Sequence, residues 1–445
     1  MASENIAAIS TALSASGVAV IRISGDSPLS IAEKMFLPMG KTSAKDFEPY
    51  KMYVGEILAD GFSDFGLCVY FKGPKSFTGE DIVEFHSHGG TAITKGILKK
   101  ILTLGARLAT NGEFTKRAFM NGKLSLSSAE GLIDMINSES VSGVKAGYYL
   151  YREKLTQEIN DLQDRITDVL AEVDADMDFP EEDLEKASTE SVRATLEYVI
   201  QKLDALLSTY RMGRTLKSGV QVGIVGKPNT GKSSLLNALL NYDKAIVSDI
   251  AGTTRDVVEG SIDIDGVRFN FSDTAGIRTS DDKVEELGVQ LSERVLEQSD
   301  LLLLVIDGAN VTDEDEALYQ RVKDKNHIVA VNKIDKTDYK DDRADVYVSA
   351  LKKENLVELK SLMFEKTVGA NVDLNGDFLC EERHFDAIKR AKEKLMVAFS
   401  AIDMVTLDVL AIDVKDGWDA LGEISGRTAT EDIINDIFKK FCVGK

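Results

Sequence analysis

The chain has 445 residues, with 53 Lys and Arg against 74 Asp and Glu and a formal net charge of −21. A polyanion of that kind is a poor non-specific binder of nucleic acid, and the longest purely aliphatic run, Leu301 to Ile306, is far too short to cross a bilayer. Cys68, Cys380 and Cys442 are few, odd in number and widely separated, which argues against a disulfide framework and for a reducing, cytoplasmic setting. The opening MASENIAAIS has no basic stretch followed by an apolar core and does not read as a secretory signal.

At about 150 residues per domain, the length predicts roughly three domains. In chain order, residues 1–122 place short β-like runs (Val18 to Ile23, Leu67 to Phe71, Ile82 to His86) among glycine turns, with one helical stretch from Ala92 to Leu104, an α+β module. From Leu124 to about Tyr210 glycines thin out and the 3.6-residue period dominates, as in Leu162 to Val173 and Val192 to Leu207. Residues 161–190 hold 12 acidic and 2 basic side chains, close to half of the whole negative excess, and read as a solvated helix face ending in an acidic turn. From Ser218 to Gly369 strands alternate with helices: Val220–Val225, Val267–Asp273, Leu301–Asp307, Ile328–Asn332 and Val346–Ser349, the pattern of a mostly parallel sheet with crossover helices. Helical texture returns after Asp377. The predicted organisation is an α+β domain over 1–122, a discontinuous all-α domain over 123–215 and 371–445, and an α/β domain inserted between them over 216–370.

The strand Val220–Val225 runs directly into Gly226-Lys-Pro-Asn-Thr-Gly-Lys-Ser-Ser234 and then into the apolar helix Leu235 to Leu240, which is GxxxxGK[ST] in its strand–loop–helix setting. Glycines let backbone N–H groups converge on phosphates at a helix N-terminus, Lys232 reaches the β- and γ-phosphates, and the Ser233 hydroxyl ligates Mg²⁺. Asp273-Thr-Ala-Gly276 suits a second phosphate loop, with Asp273 acting on Mg²⁺ through water and the Gly276 amide facing the γ-phosphate. Gly252-Thr-Thr-Arg-Asp256 lies where a switch loop belongs, and Thr254 completes the Mg²⁺ shell. The carboxylate of Asn332-Lys-Ile-Asp335 can accept both N1–H and the exocyclic amine of guanine, a donor pair that adenine lacks, so it selects GTP over ATP. Ser349-Ala-Leu351 fits the loop that closes over the base. Five elements in this order predict a Ras-like P-loop GTPase domain. Directly after DTAG, where Ras-type GTPases place a water-orienting Gln, stands Ile277, which cannot polarise water. Glu285 and Arg278 are the nearby alternatives.

Val20-Ile-Arg-Ile-Ser-Gly25, Phe77-Thr-Gly-Glu-Asp81, His88-Gly-Gly90, Gly112-Glu-Phe-Thr115, Arg117 to Leu124 and the terminal Phe441-Cys-Val-Gly-Lys445 go further. With them the chain resembles, over essentially its whole length, the MnmE (TrmE) family of tRNA-modification GTPases, within the TrmE-Era-EngA-YihA-Septin-like class. The resemblance implies an N-terminal tetrahydrofolate-binding domain that also dimerises, a two-segment helical domain and an inserted G domain. It implies a K⁺-dependent GTPase that works as a homodimer with an FAD-containing partner, MnmG (GidA). Together they use a folate one-carbon unit to modify C5 of the wobble uridine of certain tRNAs, with neither membrane nor DNA involved.

Residue by residue, the family's GTP contacts fall on Asn229, Thr230, Gly231, Lys232, Ser233, Ser234, Ser248, Asp249, Ile250, Ala251, Gly252, Thr253, Thr254, Asp273, Thr274, Ala275, Gly276, Asn332, Lys333, Asp335, Ser349, Ala350 and Leu351. Its K⁺ ligands fall on Asn229, Ser248, Ile250 and Thr253, and its water-orienting glutamate on Glu285. A potassium ion there implies positive charge where an arginine finger acts in other systems. Folate contacts fall on Arg22, Glu84, Lys123 and Lys445; a pterin ring offers a guanidine-like edge to a carboxylate, and a glutamyl tail attracts cations. The terminal cysteine matches Cys442, for which structural and catalytic roles both stay open.

A switch GTPase of ribosome assembly or signalling shares GTTRD and the Ile after DTAG, but is expected to carry a basic RNA-binding appendage in place of a neutral N-terminal module. His86 and His88 lie on one strand face, where two histidines without a third ligand point to packing before zinc. The helix near Arg383, Lys389, Arg390, Lys392 and Lys394 is expected to present a local basic stripe, so that tRNA binds weakly to the chain alone.

Overall fold

The computed structural model describes residues 4–40, 42–178, 189–242, 260–273, 295–369 and 377–444. The chain divides into two compact units, one of Met1–Ile133, Leu150–Ile200 and Arg390–Lys445, the other of Asp134–Tyr149 and Gln201–Lys389.

In the first unit, β1 (Ile6–Ile9), β2 (Ser16–Gly25), β3 (Phe36–Pro38), β4 (Met52–Leu58), β5 (Ser63–Phe71), β6 (Asp81–Gly89) and β7 (Arg107–Leu108) form one sheet in the spatial order β3-β4-β5-β6-β2-β1-β7. Every neighbouring pair is antiparallel except β1 with β7. The two-residue period of the strands sorts their side chains. Ile21, Ile23, Val83 and Phe85 point to one face and are fully buried with Ile31, Ala32 and Met35 of the helix Pro28–Met35 and Ile97 and Ile101 of the helix Thr91–Thr103. Arg22, Glu84 and His86 are left for the other face. β1, Ile-Ala-Ala-Ile, has weak strand propensity and is held by β2 on one side and β7 on the other.

The C-terminal residues belong to this unit. Val443 bridges Asn111, the Gly112 N–H donates to the Cys442 carbonyl at 3.4 Å, and a Cβ on Gly444 would come within 2.4 Å of the Ile9 carbonyl oxygen. Phe438 and Phe441 pack beside them with Leu126, Ala129 and Ile133. The helix Lys154–Asp178 packs on the helix Leu407–Ser425, with the Gln163 amide donating to the Trp418 carbonyl at 2.9 Å and the Trp418 indole to Thr167 at 3.0 Å. The helix Leu407–Ser425 also sets carboxylates opposite two residues of the expected basic stripe. Arg390 makes a two-pronged pair with Glu423 at 3.0 and 2.6 Å, and Lys394 reaches Asp416 at 2.8 Å and Asp413 at 3.5 Å. These two cations are therefore each paired with a carboxylate while staying about half exposed.

In the second unit, β8 (Val220–Val225), β9 (Gly260–Ile264), β10 (Val267–Asp273), β11 (Leu301–Asp307), β12 (His327–Asn332) and β13 (Val346–Tyr347) order as β13-β12-β11-β8-β10-β9, all parallel except β9. β11 reads Leu-Leu-Leu-Leu-Val-Ile-Asp and is buried at every position, as a central parallel strand covered on both faces must be. Three of the five strands expected here have the expected ends; β12 starts one residue earlier and β13 is shorter. The sixth, β9, pairs with β10 across Asp265-Gly266, both at positive φ (51° and 85°), the backbone that a tight two-residue hairpin turn demands. The architecture is thus an α+β sheet module, long helices, and an α/β parallel sheet of P-loop type. Among the described residues, no helix is long and apolar enough to cross a membrane.

Candidate functional site

β8 ends at Val225, and the helix Lys232–Tyr242 starts after a loop of six residues whose backbone turns through positive φ at Asn229 (65°) and Gly231 (94°). Gly231 has a second constraint: a Cβ there would lie 2.4 Å from the Asn332 side-chain nitrogen. The loop curls over its own lysine. Lys232 Nζ donates to the Gly226 carbonyl at 2.7 Å and the Lys227 carbonyl at 2.9 Å, and the fully buried Thr230 donates its hydroxyl to the Lys227 carbonyl at 3.1 Å. An ammonium so held at a helix N-terminus, with the amides of the same turn, is an anion site for a polyphosphate.

Asn332 and Lys333, at the end of β12, brace the loop from outside. The Asn332 amide donates to the Thr230 carbonyl at 2.9 Å and accepts from the Ala350 N–H at 3.1 Å. Lys333 Nζ donates to the Asn229 carbonyl at 2.7 Å and pairs with Asp307 at 2.6 Å. Asn332 thus joins the phosphate loop to the loop at Ser349, Ala350 and Leu351, and Lys333 ties it to the end of β11. Asp335 lies in that second place: its carboxylate accepts from the Ser349 hydroxyl at 2.6 Å, and this bond holds the carboxyl below its ordinary pKa, so it is an anionic acceptor at neutral pH. That chemistry suits the N1–H and amine edge of guanine.

Ser233 and Ser234 stand exposed in the first turn of the helix, where a Ser233 hydroxyl fits a hard cation beside phosphate oxygens. Asp273 ends β10, and its backbone pairs with Ile224 beside the loop. Its side chain and Ser248, Asp249, Ile250, Ala251, Gly252, Thr253, Thr254, Thr274, Ala275, Gly276, Arg278 and Glu285 lie outside the described residues, as does Lys445. Sequence reasoning passed over Asp307, the polar residue ending the apolar run of β11, and Lys227, the second residue of the loop.

A second polar cluster sits on the sheet of the first unit. β2 and β6 are in register so that Arg22 faces Glu84, and Arg22 Nε donates to Glu84 Oε1 at 2.7 Å. The guanidinium lies over the rings of Phe77 at 5.5 Å and Phe114 at 5.8 Å, and His86 Nε2 lies 3.3 Å from the other Glu84 oxygen. Burial by itself pushes the Glu84 carboxyl up, but His86 and Arg22 outweigh it and hold it below the ordinary value. Next to this pair, Ser24 bonds Thr78 and Glu80 at 2.7 Å each, and Arg117 joins Glu80 at 3.0 Å to Glu113 at 3.1 Å. Lys123 Nζ donates to the Pro74 carbonyl at 3.0 Å, at the start of the segment that carries Phe77, Thr78 and Glu80. The structure thus brings Arg22 and Glu84 into direct contact and sets Lys123 on the adjoining loop. His88 pairs with Asp64 at 2.8 Å, and among the described residues no three His, Cys, Asp or Glu gather as a metal site. Cys442 is exposed. The ring pair Phe77 and Phe114 was not singled out from the sequence, although both residues stand in motifs used there.

Two family models match the chain: "GTP-binding protein TrmE N-terminus" over residues 5–123 and "MnmE helical domain" over residues 126–442. The tRNA modification GTPase MnmE of Clostridioides difficile (strain 630) is 37% identical over 458 residues, covering 99% of both chains. Its namesake in Aquifex aeolicus (strain VF5) is 39% identical over 454 residues, covering 99% of this chain and 100% of the other. Among solved structures, the G domain of the T. maritima FeoB iron transporter is 27% identical over 33% of this chain and 98% of that one, with a TM-score of 0.26, too low to add to the strand order already described.

Proposed function

The chain belongs to the MnmE family and is a GTPase, and from that premise we propose that it hydrolyses GTP in a K⁺-dependent way to drive tRNA modification. In this reading it works as a homodimer with an FAD-dependent partner and transfers a folate one-carbon unit to C5 of a wobble uridine. The observation that carries the reading is the presence on one chain of two unlike sites. One is a braced phosphate loop with a guanine-matched carboxylate; the other is the Arg22–Glu84 pair framed by two phenyl rings.

At the first site, the Lys232 ammonium neutralises phosphate oxygens, Asp335 accepts from the base, and Asn332 keeps the two loops in register. Ser233 and Thr254 hold Mg²⁺, while Asn229, Ser248, Ile250 and Thr253 hold K⁺; the ions supply positive charge where negative charge builds up on the phosphates. Glu285 orients the attacking water in place of the missing Gln. At the second site, Glu84 accepts from the guanidine-like edge of a pterin, the partly exposed Phe77 ring lies beside it with the buried Phe114 ring behind Arg22, and Arg22, Lys123 and Lys445 meet its anionic tail.

GTP turnover is expected to be much faster in KCl than in NaCl and to fall by about a hundredfold in Glu285→Ala; equal rates in both salts remove the K⁺ assignment. Calorimetry should show one 5-formyl-tetrahydrofolate bound per chain, and no binding removes the folate half. Mass spectrometry of wobble nucleosides from cells lacking the gene tests the substrate, since unchanged uridines favour a switch GTPase.

A further inference from the structure

Lys227 takes no part in the nucleotide chemistry set out above, yet its side chain is 8% exposed and fully engaged. Its Nζ meets the Asn310 carbonyl at 2.5 Å, the Thr312 hydroxyl at 2.9 Å and Asp315 Oδ2 at 2.8 Å, three acceptors for the three N–H bonds of an ammonium. Asp315 is fully buried and also accepts from the Thr312 N–H at 2.9 Å, which fixes it to the first turn of the helix Asp313–Val322. On its backbone side, the Lys227 carbonyl is the acceptor shared by Lys232 Nζ and the Thr230 hydroxyl. One residue therefore grips a helix start with its side chain and the phosphate-binding ammonium with its main chain. An exposed pair would do little for either; a buried one cannot lose a partner without stranding the other charge.

We propose that Lys227 is a positioning residue for nucleotide binding: the buried Lys227–Asp315 pair anchors the phosphate loop to the helix Asp313–Val322, so that Lys232 is in place before GTP or GDP arrives. The anchor acts by pre-organisation, so its loss raises the Kd and leaves turnover at saturation nearly intact, because a bound polyphosphate gathers Lys232 by its own charge.

The test is fluorescent-nucleotide titration with parallel steady-state kinetics on the full chain. Lys227→Met is expected to raise the Kd for GTP and GDP by about tenfold or more, with KM rising in step and kcat within about threefold of wild type. Because that variant strands the Asp315 charge, the decisive protein combines Lys227→Met with Asp315→Asn. Its Tm is expected to return close to wild type while its Kd stays raised. A pair that serves stability alone restores Kd together with Tm, and that result overturns the proposal, as does a folded Lys227→Met protein that binds both nucleotides as tightly as wild type. Lys227→Arg, which keeps the charge, is expected to fall between wild type and Lys227→Met; a Kd equal to that of Lys227→Met counts against a charged anchor.

Discussion

The phosphate loop and the Arg22–Glu84 pair each hold a cation against protein acceptors, two carbonyls in one and a carboxylate in the other, but they are specified over different distances. The phosphate loop draws its shape from residues within one strand, one turn and one helix, and what lies outside it, Asn332 and Lys333, braces a backbone already set by glycine. The pair exists only because β2 and β6, some sixty residues apart, meet in one register. A slip of one residue would exchange Arg22 and Glu84 for the buried Ile21, Ile23, Val83 and Phe85. The first site is therefore fragile to backbone change and the second to loss of a partner charge.

Gly231→Ala should have the largest effect. It places a side chain at φ +94° and 2.4 Å from the Asn332 nitrogen, so GTP turnover is expected to fall by about a hundredfold or more, measured as phosphate release. Near-normal turnover would show that the loop tolerates backbone change and would erase the contrast. Arg22→Ala should act on the other region alone: folate binding falls by about tenfold or more and stability by about 1–3 kcal/mol, because Glu84 stays half-buried without its guanidinium. GTP turnover in the same protein should not change. Arg22→Lys should recover little, since a point charge does not reproduce a plane lying over two rings.

The smallest effect is one of pH. Burial raises the Glu113 carboxyl, but Arg107, the Thr110 backbone and Arg117 lower it further, from 4.5 to about 2. A carboxyl depressed by folding contributes stability that is complete above the unfolded value and is lost as pH falls through the folded one. Glu113→Gln should thus cost about 1 kcal/mol at neutral pH, since Arg107 is partly exposed and its charge is screened, and flatten the acid limb of a Tm-against-pH curve below pH 4.5. An unchanged acid limb would assign it to other carboxylates.

The contrast also explains what was legible in the sequence. The strand–loop–helix of the nucleotide site could be read because every determinant is contiguous, and three strands of its sheet both begin and end where expected. Arg22 and Glu84 could be named only through a resemblance; nothing in their own neighbourhoods tells which strands pair. Phe77 and Phe114 approach Arg22 only after the sheet has formed. β1 escaped notice because Ile-Ala-Ala-Ile has little preference of its own and is made a strand by its neighbours. β9 is a different case: Asp265-Gly266 between apolar runs was a hairpin signal within reach of local reasoning.

Gly444 resting against Ile9, and Val443 against Asn111, set an order of events for the newborn chain. The first strands leave the ribosome well before the residues that complete their unit, and the whole α/β segment is made in between. Synthesis proceeds at about 5–20 residues per second, so the sheet of β1–β7 must wait tens of seconds with that surface uncovered. The other face of that sheet does not wait, because the helices Pro28–Met35 and Thr91–Thr103 that bury it are made before the α/β segment, so what the last residues complete is the edge at Ile9 and Asn111 alone.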